Sequence, residues 1–184
     1  MKTKLNYYID MDGTIADFNG EVDGVKRFKH EHGFFNKLKP LKKNLQAVKK
    51  LARDGNNVFI ITASPNEKAD GDKLNWLRKY LPEICAENII ITRLKDNKAE
   101  AMKTADGVLF DDYGKNCDEW VSFNDVNRSV KIKADGVLFD DYGKNCDEWV
   151  SFNDVNRAVK IKADGDVAEG IKAVLALKDR VLNN

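Results

Sequence analysis

Two aspartates stand two residues apart in Asp10-Met11-Asp12-Gly13-Thr14, at the end of the apolar segment Leu5–Asp10. If strand geometry persists, both carboxylates point the same way. Like charges that close are tolerated mainly around a cation or a shared proton. Gly13 permits the sharp turn that must follow. Alone, such a pair reads as a polar turn. Two other apolar segments end comparably: "ITAS" delivers Thr62 and Ser64, and "LFDD" delivers Asp111 and Asp112. A lone Thr is usually a cap, and a lone Asp pair a turn. Together, however, four acids and a hydroxyl reach one rim, with Lys98 ahead of the last segment. Four carboxylates need a counter-charge, and hard oxygen ligands suit Mg²⁺. A carboxylate nucleophile, a hard cation, a hydroxyl and a lysine make a phosphoryl-transfer site.

These residues share a rim only if the segments bearing them are neighbouring strands. Leu5–Asp10, Asn57–Thr62, Asn88–Thr92 and Gly107–Asp111 read as buried strands, three of them carrying short, nearly unbroken apolar runs suited to a sheet covered on both faces. Helical patterns alternate with them. After Pro40, Leu41, Leu45, Val48 and Leu51 share a face, and Gly55 can end that helix. Leu74, Leu77 and Leu81 share another, ended by Pro82. "DNKAEAMK", opened by Lys98, predicts a short third helix. Val167, Ile171, Val174 and Val181 align in a last one. "AVKIK" at Ala158–Lys162 alternates lysine with apolar residues, as an edge strand does. The polar, aromatic-bearing stretch 16–39 predicts a small helical cap insertion after the first strand. The expected fold is α/β, a Rossmann-like, mostly parallel sheet flanked by helices, in a single domain spanning 1–184. In an open sheet of this kind the ligand crevice lies outside the carboxyl ends of the strands.

Composition narrows the class. The chain has 184 residues, 42% hydrophobic and 33% charged, with formal net charge +1. That balance provides no global field for a nucleic acid polymer or an acidic membrane. Asp10 and Asp12 interrupt any N-terminal apolar run, so no signal peptide is expected. No stretch approaches the ~18 apolar residues of a membrane span. Of the three cysteines, Cys117 and Cys146 are counterparts in a repeat. A disulfide framework is therefore not expected, and the expected compartment is the cytoplasm.

"DMDGT", "ITAS", Lys98 and "LFDD", in that order, resemble the four motifs of the haloacid dehalogenase superfamily. "DMDGTIADF", "GFFNKLKP", "DKLNWLRKYLP" and "LFDDYGKNCDEW" further resemble its 5'(3')-deoxyribonucleotidase branch and bacterial and phage relatives, from about Tyr7 to Trp120. The resemblance implies a Mg²⁺-dependent phosphomonoesterase acting on a nucleoside monophosphate. Asp10 would attack phosphorus, and Asp12 would protonate the leaving alcohol and then deprotonate water. The Asp10 side chain, the Asp12 backbone carbonyl and a carboxylate from Asp111 or Asp112 would hold Mg²⁺. Thr62 and Lys98 would hold the phosphoryl oxygens, with Lys95 and Lys103 close enough in sequence to compete for the lysine's role. Phe18, Phe34 and Phe35 are candidates for the substrate pocket, where a base could stack; equally, they could form the insertion's own core. His30 and His32 read as a solvated face, and Trp76 as packing. A phosphatase for another small phosphate ester, or an inactive duplication product, are the competing readings.

The segment Ala105–Lys133 recurs as Ala134–Lys162, with one difference in 29 positions, Ser129 against Ala158. Asp111 and Asp112 thus recur as Asp140 and Asp141. "ADG" opens both copies and recurs after the second, as unequal recombination would leave it. Only one such strand fits beside the first strand. Copy one follows directly from the Lys98 segment, and neighbours in sequence tend to be neighbours in space, so Asp111 and Asp112 are expected in the site. A hybrid taking its edge strand from copy two stays open, as does a homodimer that swaps the spare segment.

Overall fold

In the computed structural model, residues 6–102, 107–123 and 128–131 are described, with the side chains of Arg128, Val130 and Lys131 left aside. Copy two, with Asp140, Asp141 and the predicted edge strand Ala158–Lys162, lies outside them. So do Lys103 and the predicted last helix.

Among the described residues, β1 (Asn6–Ile9), β2 (Asn57–Ser64), β3 (Ile89–Arg93), β4 (Val108–Asp111) and β5 (Arg128–Lys131) form one sheet of order β3-β2-β1-β4-β5. Every pairing is parallel. The order reverses at β1, with β2 on one side and β4 on the other. The crevice between β1 and β4 is therefore the topological switch point of the sheet. This is the predicted Rossmann-like α/β architecture.

The two-residue period of a strand explains why both faces are apolar. Tyr7 and Ile9 of β1 point into one core with Val58, Ile60, Val108 and Phe110, while Tyr8 points into the other with Ile61, Leu109 and Trp120. The first core is covered by α2 (Lys42–Arg53), through Leu45, Val48 and Leu51, and by α3 (Glu67–Tyr80). The second is covered by α4 (Gly114–Phe123), whose Trp120 lies 4.7 Å from the Tyr8 ring. No helix among the described residues is long and apolar enough to cross a membrane.

Two expectations are corrected. Lys98 opens no helix: residues 98–101 form a turn. The side chain of Asn97 accepts from the Ala99 N–H at 2.8 Å, a local bond that competes with helix. The buried face of α3 is also not the leucine stripe alone. It runs through Ala69, Asp72, Lys73, Trp76 and Leu77, and Leu74 is only half-buried. The strand beside β4 is Arg128–Lys131 of copy one, so among the described residues the open hybrid is not what the sheet uses, while the predicted edge strand Ala158–Lys162 lies outside those residues. Within the insertion, only α1 (Gly24–Arg27) and a short 3₁₀ turn at Phe35–Lys37 are helical.

Candidate active site

The Asp10 N–H donates to the Phe110 carbonyl at 2.8 Å, which carries the β1–β4 ladder one residue past β1. That bond aims the Asp10 side chain at the switch point, where Asp111 closes β4. Gly13 then turns the chain with φ 79°. A side chain at this position would be strained by that φ, and its Cβ would stand 2.0 Å from Asp112 Oδ2.

Two buried lysines organise the rim. Lys98, 4% exposed, donates to Asp10 Oδ1 at 2.5 Å and to Asp111 Oδ2 at 2.6 Å. Its competitor Lys95 is exposed. Burial opposes the Lys98 charge, but Asp10 and Asp111 outweigh it and hold the ammonium above the ordinary lysine range. Burial pushes the Asp10 carboxyl well up; Lys98 opposes this, while Asp111, Asp12 and Asp112 add to it. Asp111 is held on three sides: by Lys98, by the Asn116 amide at 2.9 Å and by the Tyr113 N–H at 2.9 Å. Asp112 accepts from Asn19 at 3.1 Å. Its carboxyl rises to about 6, mainly through burial, with the Asn19 bond opposing.

The second lysine escaped the sequence reading. Lys73, fully buried on α3, donates to Asp12 Oδ2 and, at 2.8 Å, to Thr62 Oγ1. Its ammonium lies 4.3 Å from the centre of the Phe35 ring, an attractive placement. Asp12 and Thr62 are thus joined through a residue neither motif contains. The signal was present: Lys73 stands three and four residues before Trp76 and Leu77, on the face α3 buries.

One carboxylate oxygen each from Asp10, Asp111 and Asp112 lie within 4.8 Å of one another. The Asp12 carboxylate is not in that group, being paired with Lys73. Three acids against one Lys98 ammonium leave two negative charges uncompensated in a largely buried place. Hard oxygen donors with that excess suit a divalent cation of the Mg²⁺ class. Asp12 Oδ1 is buried without a hydrogen-bond partner among the described residues, which leaves a polar atom free for a ligand.

The pocket candidates divide. Phe34 and Phe35 are each 1% exposed and pack edge-to-face, their centroids 5.1 Å apart. They form the insertion's core with Phe28. Phe18 is half-buried and lines a cavity of about 300 Å³ with Asn19, Glu21 and Val25. His30 and His32 are exposed. The Trp76 indole N–H donates to the Leu38 carbonyl at 2.8 Å, a packing role.

No curated protein matches the chain. Among solved structures it is similar to "Structure of Pnkp1/Rnl/Hen1 complex", at 17% identity and TM-score 0.54. That likeness covers 72% of this chain and 47% of the other, so the chain spans about half that protein's length. It is also similar to the HAD domain of effector protein Lem4 from Legionella pneumophila, at 18% identity and TM-score 0.42, covering 80% of this chain and 94% of that one. Residues 20–126 match the family model described as "5' nucleotidase, deoxy (Pyrimidine), cytosolic type C protein". That span is more than half of the chain and takes in Thr62, Lys73, Lys98, Asp111 and Asp112. With the parallel sheet and the acids at its switch point, it places the chain in that 5' nucleotidase family, a phosphatase family of the haloacid dehalogenase superfamily.

Proposed function

We propose that the chain hydrolyses phosphate monoesters of nucleosides through an aspartyl-phosphate on Asp10, with Mg²⁺ held by Asp10, Asp111, Asp112 and the Asp12 backbone carbonyl. The carrying observation is the division of the rim between two buried lysines: Lys98 on Asp10 and Asp111, Lys73 on Asp12 and Thr62. When bound, the cation supplies positive charge that screens the nucleophile from the phosphate.

The chain's own residues do the rest. An Asp10 carboxylate oxygen attacks phosphorus, and the bond to the ester oxygen breaks. Asp12, entering protonated as Lys73 turns from its carboxylate to the phosphate, gives that oxygen its proton, releasing the alcohol. Asp12 then takes a proton from water, whose oxygen attacks phosphorus and breaks the bond to Asp10. Inorganic phosphate leaves with both side chains restored. Lys98 opposes the burial that raises the Asp10 carboxyl and so favours its ionised, nucleophilic form. Lys73 and Thr62 receive the phosphoryl oxygens, and charge-assisted bonds there strengthen as negative charge moves outward. Phe18 offers its half-buried ring to the base, while Phe28 and Phe34 pack edge-on against it.

The test is turnover of p-nitrophenyl phosphate with Mg²⁺, in the full chain and in Asp10→Asn. Turnover that Asp10→Asn abolishes supports the reading. No turnover, or an unchanged rate in the variant, overturns it. A panel of deoxy- and ribonucleoside monophosphates against sugar phosphates tests the leaving group, and equal rates refute a nucleoside pocket.

A further inference from the structure

Asp111 and Asp112 are adjacent, yet they are held very differently. Asp111 has an ammonium, an amide and a backbone N–H around it, all from near the sheet. Asp112 is held from 93 residues away, by the Asn19 side chain. The backbone around Asn19 fixes where that amide points. Ala16 bridges to both Asp12 and Pro40, and the Asp17 N–H donates to the Lys39 carbonyl at 2.8 Å. The Asp17 carboxylate accepts from the Gly20 N–H at 2.9 Å, closing a turn around Asn19. Gly13 leaves the space in which amide and carboxylate meet: an added Cβ would lie 2.9 Å from Asn19 Nδ2 and 2.0 Å from Asp112 Oδ2.

We infer that Asn19 is a positioning residue that orients Asp112 for the divalent cation and makes cation affinity depend on the insertion. The inference rests on the cation reading above. Residue type supports it. An amide donor fixes one carboxylate oxygen and adds no charge, so the pull of Asp112 on a cation survives. A lysine there would cancel that pull. Asn19 also lines the cavity beside Phe18, so one side chain touches both the acidic rim and the space proposed for the leaving group. The bond is solvent-exposed, so it adds little to folding, and its geometry matters mainly to the site.

Mn²⁺ binding, followed by the electron paramagnetic resonance of free Mn²⁺ without substrate, tests this. Partners that orient ligands typically contribute 10–100-fold in affinity. Asn19→Ala should therefore weaken Mn²⁺ about tenfold, with an unchanged unfolding midpoint in EDTA. Asn19→Gln, which keeps the donor, should lose less. If the unaltered chain binds Mn²⁺ and Asn19→Ala binds it equally, the role of Asn19 is refuted while the cation site stands. An equal loss in Asn19→Gln and Asn19→Ala would refute a role for the amide itself. If the unaltered chain binds no Mn²⁺, the cation reading fails and takes this inference with it.

Discussion

Replacing Lys98 with Met tests the electrostatics of the rim apart from catalysis. Methionine fills most of the lysine stem, so little cavity is made, and the change is chiefly the loss of charge. The ammonium sits 2.5 Å from Asp10 and 2.6 Å from Asp111, and these side chains are 7% and 1% exposed. Removing one partner of such a group leaves uncompensated buried charge, at a cost of about 3–5 kcal/mol. That cost is pH-dependent. Asp10 already stands above its ordinary range because of burial, and losing Lys98 raises it further. A carboxyl raised in the folded state is satisfied when protonated, so its destabilisation is absent at low pH and grows as pH climbs past the unfolded value. Urea unfolding in EDTA should thus show the full loss near pH 7.5 and less than about half of it near pH 4.5. An equal loss at both, or under about 1 kcal/mol at neutral pH, would mean that the ammonium is not the counter-charge of the cluster.

Without cation, the protein should lose stability as pH rises from about 4 to about 6, because the Asp112 carboxyl lies at about 6 when folded and near 4 when unfolded. Allowing for solvent screening, the fall is about 1–2 kcal/mol; Mg²⁺ should reverse it, and Asp112→Asn should flatten it in calorimetry. Lys73→Met should raise the inhibition constant for inorganic phosphate by about ten- to a hundredfold, the worth of a hydrogen bond to a charged group, while Mn²⁺ affinity stays within about threefold.

The parts of the site carried by strand ends were legible, because a strand's apolar run and its terminal acids are read together. The strand-end placement of Asp10 and Asp111 and the strands β1 to β4 followed from that pattern, while β5 did not. Lys73 did not, because apolar periodicity counts a lysine as solvent-facing. Here an aromatic ring, a threonine hydroxyl and a carboxylate from three other segments let the charge be buried. The ten-residue α4 went unread because it buries little besides Cys117 and Trp120, too few for a clear period. The Phe34–Phe35 pair shows the opposite limit. Its aromatic character was plain, but whether it faces a ligand or other phenylalanines is decided by Phe18 and Phe28, which contact it across the insertion.

The repeat supplies the sharpest remaining test. Copy one provides the strand beside β1, with Tyr7 opposite Val108 and Ile9 opposite Phe110, and also the next strand, β5. Both connections around Asp111 are then short: from Lys98 into β4, and from β4 through α4 into β5. Seating copy two there instead would require copy one to be expelled between Lys98 and the strand. Loop closure is not the obstacle, since looping out 29 residues costs only a term growing as about (3/2)RT ln n. Burial is no obstacle either, because the identical Val137, Leu138 and Phe139 would gain the cover that Val108, Leu109 and Phe110 lose; what favours copy one is that the Lys98 segment leads straight into β4, and elements adjacent in sequence are usually neighbours in space. Changing Asp111 and Asp112 together to Asn should therefore abolish Mg²⁺-dependent turnover, and changing Asp140 and Asp141 together should leave most of it. The reverse outcome would assign the site to copy two. Comparable partial losses from both pairs would mean that the two copies exchange, and a rate that depends on protein concentration would place that exchange between chains.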